Sequence, residues 1–189
     1  MYYFKHIFFL LFLTIPFSIT NAQIREFTHP KIISFEHSTD PVTAGKNSKV
    51  SLSNKHYKHL GHSLQWNWDK PNAQIFINQP IGYLSQNPNP KETSLSTFIF
   101  WIYNPKAISS GKLKFEFLKQ GKVCSWFEYG MNFTGWSGAW LIFNRDMQGT
   151  PEEGMDELRI TAPNTDCGEI FLDHIILSSF QDVRHQTAD

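Results

Sequence analysis

The sequence predicts an all-β fold, an antiparallel β-sandwich of the jelly-roll kind. Three observations carry that prediction. Apolar and polar residues alternate with a period of two. "SLQWNW" sets Leu64, Trp66 and Trp68 against Ser63, Gln65 and Asn67, and "KLKFEF" sets Leu113, Phe115 and Phe117 against Lys112, Lys114 and Glu116. Helical periodicity is nearly absent. Clusters of Pro and Asn such as "SQNPNPKETS" interrupt the chain, as loops between many short strands do.

"MYYFKHIFFLLFLTIPFSITNAQ" places Lys5 and His6 ahead of an apolar run from Ile7 to Phe17, with small residues at Thr20 and Ala22. This is the pattern of a signal peptide spanning 1–22, cleaved before Gln23. The run is short for a bilayer span, so a retained anchor is the lesser reading. Export to the periplasm or the medium follows. Residues 23–180 have the size of one domain, and 181–189 read as the start of a linker. "KIISFEHS" is the first strand. "STFIFWIYN" is apolar on both faces and reads as a central strand covered on both sides. "KQGK" is the turn that joins "KLKFEF" to "VCSWFEYGMNF". "GAWLIF" alternates Ala139, Leu141 and Phe143 against Trp140 and Ile142, after a glycine-containing bend from Gly135 to Gly138. "TPEEGMD" predicts a short helical turn, with Thr150 capping ahead of Pro151 and two glutamates. "DELRITAP" and "GEIFLDHIILSS" complete the set.

Composition sets limits. The 189 residues carry 17 Lys and Arg against 17 Asp and Glu, a balance that argues against a general nucleic-acid binder. An oxidising compartment would let Cys124 and Cys167 pair, but two free thiols are the favoured state. No nucleophile elbow, P-loop or HExxH helix occurs, so no catalytic residue is assigned. Asn132-Phe133-Thr134 matches a glycosylation sequon, a triplet that also arises by chance.

Asp173 is the most informative polar residue. Alternation puts it on a strand face with Phe171, Ile175 and Leu177, where an ionised carboxylate is costly unless paired or bound to a metal. Glu36 shares its face with Ile32 and Ser34 in the first strand. In a jelly roll the first and last strands commonly lie together, so the two carboxylates suit a hard cation held by oxygen. A carboxylate at a sheet margin paired with Lys or Arg is the competing reading. "KNSKVSLSNKHYKHLGHSL" reads as a basic loop with Lys55 and Lys58, either solvated surface or a contact for an anionic polymer. Its His56, His59 and His62 are spaced by three, but zinc spacing gains meaning from regular structure, which a loop lacks. The rings of "MNFTGWSGAWLIF" read mainly as core. Trp136, in the predicted bend, is the ring most free to meet a sugar or another domain.

"SLSNKHYKHLGHSLQWNW", "FIFWIYNPKAI", "MNFTGWSGAWLIFNRDMQG" and "GEIFLDHIILSSFQDVRHQTAD" resemble the N-terminal domain of the chondroitin sulfate ABC lyase family, over nearly all of the mature chain. The "FTGW" stretch, the "GHSLQWNW" strand and the "DVRHQTAD" ending carry most of that resemblance. It implies a jelly roll similar to carbohydrate-binding modules, holding a structural cation, calcium or sodium. Mapped here, the cation site uses Asp173, Glu36, Ser34, His62 and Gln65, with His62 and Ser34 contributing backbone carbonyls. The resemblance favours the cation over the ion pair. It also implies that lyase chemistry resides in a toroid and sheets that would follow residue 189, absent here. Three roles stay open: an accessory module of a glycosaminoglycan lyase, a free-standing carbohydrate-binding protein, or a structural cap on the catalytic domain. Sulfated glycosaminoglycan and that catalytic domain are the expected partners.

Overall fold

The computed structural model describes residues 32–86 and 96–179. The leader, most of "SQNPNPKETS" and the "DVRHQTAD" ending lie outside the described residues. Among these are twelve strands: β1 (Ile32–Ile33), β2 (Val42–Ala44), β3 (Ser48–Ser53), β4 (Ser63–Trp68), β5 (Gln74–Ile77), β6 (Thr97–Asn104), β7 (Lys112–Lys119), β8 (Lys122–Gly130), β9 (Gly135–Ile142), β10 (Gln148–Gly149), β11 (Glu157–Thr161) and β12 (Gly168–Ser179). They form two six-stranded sheets. The first runs β3-β4-β12-β6-β9, with β1 added on β12, and the second runs β10-β8-β7-β11-β5-β2. Neighbours in both sheets pair antiparallel.

The alternation of the sequence is the alternation of the sandwich. Leu64, Trp66, Phe98, Phe100 and Ile102 of the first sheet meet Leu113, Phe115, Phe117, Leu158 and Ile160 of the second, and all are fully buried. Phe115 stacks on Phe100 at 4.7 Å and on Phe127 at 4.6 Å, so rings from both layers fill the interior. Gln120 and Gly121 both have positive φ, 51° and 77°. That is the two-residue turn whose twist suits a hairpin, and it joins β7 to β8 where the sequence placed it.

Four local features differ from the sequence reading. The glycines of "GWSGAW" make no bend: Gly135 opens β9, and Gly138 lies within it opposite Trp101. A Cβ on Gly138 would come within 2.8 Å of the Trp101 ring and of the Phe100 carbonyl, so glycine is needed there for close packing. "TPEEGMD" is not helical. The Thr150 amide donates to Cys124, Gly154 turns with φ 80°, and the Asp156 amide donates to Leu118. The single helical turn among the described residues is α1 (Phe143–Asp146), where the Asp146 carboxylate accepts the Ile142 amide at 2.8 Å. Part of the predicted basic loop is strand, because Ser48–Ser53 pairs along its whole length with β4. Finally, β12 breaks register between Asp173 and Ile176, with His174 at φ 49°. Ile170, Leu172, Ile175 and Leu177 join the core, so Asp173 shares a face with Phe171 but not with Ile175 or Leu177.

The outer face of the second sheet contains a buried charge cluster. Glu116 is buried on this solvent side, accepting from Arg159 Nε at 2.8 Å and pairing with Lys114 Nζ at 2.8 Å. Burial pushes the Glu116 carboxyl up, but hydrogen bonds and charge from Arg159 and Lys114 outweigh it and hold the group below the usual value. Its stabilising contribution is therefore present above the ordinary carboxylate range and is lost as pH falls through the depressed value. Glu116→Gln is expected to flatten the acid limb of stability against pH, read as urea midpoints between about pH 7 and about pH 3. An unchanged acid limb would contradict this.

Candidate functional site

Residues 54–62 connect β3 to β4 by crossing the outer face of the first sheet. Aromatic contacts hold this loop down. His56 stacks on Tyr103 with centroids 3.7 Å apart and meets the edge of Phe171 at 4.8 Å. Lys58 Nζ lies 4.0 Å from the centre of the Trp101 ring, a cation–π contact. Lys55 is exposed, and its amide donates to Ser53 Oγ at 3.2 Å. Trp136 is half-buried at the same face, edge-on to Tyr103 at 5.5 Å.

Two carboxylates pin the loop from beneath. Asp173 is fully buried, and its Oδ2 accepts the amides of Lys58 at 2.7 Å and His59 at 2.9 Å, while Oδ1 accepts the amide of His174 at 2.7 Å. Glu36 Oε2 accepts the amides of Gly61 at 3.0 Å and His62 at 3.2 Å, with His62 Nδ1 at 3.7 Å. Glu36 Oε1 is buried and accepts no hydrogen bond. Burial raises the pKa of Asp173 from its ordinary value, and the charge of Glu36 pushes the same way, while three backbone amides pull it down. The backbone is strained at the same places: Phe35, Leu60 and His174 have φ of 57°, 53° and 49°, and each adjoins one of these carboxylates or the amides they bind.

The predicted site residues divide accordingly. Asp173 and Glu36 both hold the loop from beneath, Asp173 at Lys58 and His59 and Glu36 at Gly61 and His62. Ser34 lies two residues before Glu36, half-buried. Gln65 lies on the same outer face, opposite Phe171 across β4 and β12, and donates its side-chain amide to Glu169 Oε1. The three histidines do not form a zinc site: His56 stacks on Tyr103, His59 meets His174 and His62 lies by Glu36. Among the described residues no three His, Cys, Asp or Glu side chains gather around one point. Any cation here would be held by oxygen from two carboxylates and the backbone, and the bare Glu36 Oε1 fits that chemistry. Cys124 is buried, Cys167 is exposed, and both are free.

Sequence reasoning missed the grip of this loop on Trp101, Tyr103 and Phe171. The alternation within β6 and β12 does place those three rings on the solvent side, which was the available signal.

The fold is a β-sandwich of the kind found in carbohydrate-binding modules. A family 11 carbohydrate-binding module from Clostridium thermocellum, solved with a β-1,3-1,4-mixed-linked tetrasaccharide, superposes with a TM-score of 0.54. It covers 77% of this chain and 93% of its own at 15% identity, so the likeness is one of fold. The family model described as "Lyase, N terminal" matches residues 29–189, and the chain belongs to that family. It is 44% identical over 170 residues, 89% of its length, to the chondroitin sulfate ABC exolyase of Bacteroides thetaiotaomicron. It is 27% identical over 176 residues to the chondroitin sulfate ABC endolyase of Proteus vulgaris. The chain spans 16% and 17% of the length of those relatives.

Proposed function

We propose that this chain is the exported N-terminal accessory domain of a glycosaminoglycan lyase, holding chondroitin sulfate or a related polymer for chemistry done elsewhere. The observation that carries this reading is where the buried acids point. β-Elimination needs a group to neutralise the uronate carboxylate and a base to take the C5 proton. Asp173 and Glu36 are instead spent on the backbone of the 54–62 loop, and Glu116 on Arg159 and Lys114. The names of the relatives supply the substrate class.

In this reading Glu36 and Asp173 hold a structural cation, calcium or sodium. Oxygens of Ser34, His62 and Gln65 fill the shell, as the family resemblance implies. The cation relieves two buried negative charges and fixes the loop. The loop with Lys55, Lys58 and the neighbouring Trp136 forms the face for the catalytic domain or for polymer passing to it.

The test is ultraviolet absorbance of unsaturated uronate after pure protein is incubated with chondroitin sulfate. No product is expected. Steady product formation proportional to protein concentration would overturn the reading.

A further inference from the structure

We propose that the outer face of the second sheet binds an acidic oligosaccharide, with Arg159 at its centre and Trp126 and Phe76 as flanking ring platforms. This rests on the carbohydrate reading above and says which face and which groups hold the sugar.

The register of the sheet builds the site. Gln148 pairs with Trp126, Trp126 with Glu116, Glu116 with Arg159, Arg159 with Phe76, and Phe76 with Thr43. One straight row therefore crosses all six strands. Residues opposite one another share a face. The alternate positions, Phe115, Phe117, Leu158 and Ile160, are in the core, so the row points outward. Trp126 and Phe76 stand three strands apart, roughly 14 Å at the usual strand spacing. Both are half-buried, which leaves ring surface on which a sugar's C–H face can stack.

Charge sets the kind of sugar. Glu116 is enclosed by Arg159 and Lys114, so within this triad two cations face one anion, while Glu128, opposite Lys114, is paired with Lys112 and Glu157 lies two residues before Arg159 on β11. Arg159 gives its Nε to Glu116. A guanidinium has five N–H donors, and its fork suits a carboxylate or sulfate, so the Nη groups of this partly exposed side chain remain to grip one. Glu116 thus aims Arg159 and is not a contact itself. Lys114 Nζ also lies 5.0 Å from the Trp126 ring centre, adding positive charge at that end. Thr161 and Gln74 lie alongside, bonded to each other at 3.3 Å, and offer polar groups to sugar hydroxyls. An ion pair kept for stability alone would require Arg159, Glu116 and Lys114. It would not require an aromatic ring on each side of it in the same row.

The experiment is a calorimetric titration of the full chain with a chondroitin sulfate hexasaccharide and with a neutral cello-oligosaccharide of equal length. Trp126→Ala and Arg159→Lys are titrated alongside wild type; the lysine keeps the charge beside Glu116 but loses the fork. Wild type is expected to bind the sulfated sugar and to bind the neutral one far more weakly. Each variant is expected to lose about tenfold in affinity with its melting temperature kept. If Arg159→Lys does not fold, Trp126→Ala decides alone. Wild-type affinity in both variants, with loss in Trp136→Ala, would move the sugar to the first sheet and overturn this site while sparing the carbohydrate reading. Equal binding of the neutral sugar would overturn the anion assignment. Binding of neither sugar by wild type would overturn both the site and the reading beneath it.

Discussion

Phe143→Ala is expected to leave the chain poorly folded, with low yield or a broad, early melting transition. Phe143 is 1% exposed although it sits in the helical turn and not in a strand. Its ring meets Phe117 edge-on at 4.9 Å and lies 5.3 Å from Tyr83, while its amide donates to the Ser96 carbonyl at 3.1 Å. It closes one end of the sandwich between the two layers. Truncating such a ring costs about 3–5 kcal/mol, a large part of the roughly 5–15 kcal/mol that holds a domain folded. Trp136→Ala makes the contrast. That ring is half-buried and touches Tyr103 from the side, so about 1 kcal/mol is expected. Comparable melting temperatures for the two variants would contradict the assignment of Phe143 to the core.

Asp173→Asn is expected to lower the melting temperature measured with calcium and to remove its dependence on calcium. Asp173 accepts three backbone amides in a fully buried position. An asparagine offers one acceptor oxygen in place of two, so one buried amide loses its partner, at about 1–3 kcal/mol. The proposed cation would lose one of its two carboxylates as well. A ligand at a hundredfold excess over its Kd adds about 2.7 kcal/mol, so the wild type should gain clearly from calcium and the variant should not. Melting of wild type that is identical in calcium and in chelator would sink the cation.

Much of the fold is legible in the chain itself. Strands β4 and β7 announce themselves because one face of each is apolar and the other polar, and the Gln120-Gly121 turn has a residue pattern that few other structures accept. The short or polar strands β2, β3 and β5 do not. β2 and β5 are only 3 and 4 residues long, β3 has just Val50 and Leu52 as apolar residues, and pairing with distant neighbours makes them strands. Asp173 stood out as a misplaced charge. Its true surroundings depended on the register break at His174, which alternation cannot foresee. Gly138 looked like a bend because the contact that requires it, with Trp101, comes from 37 positions earlier in the chain. The row from Gln148 to Thr43 is invisible for the same reason: five pairings between separate segments create it.

Whether this β-sandwich holds sugar is decided by its retention on immobilised chondroitin sulfate. Charge attraction between protein and polymer is least screened at low ionic strength. Wild-type protein is expected to be retarded on the sulfated matrix at low salt, less so as salt rises, and not on a neutral polysaccharide matrix. Elution with the unretained fraction on both matrices at low salt would contradict it.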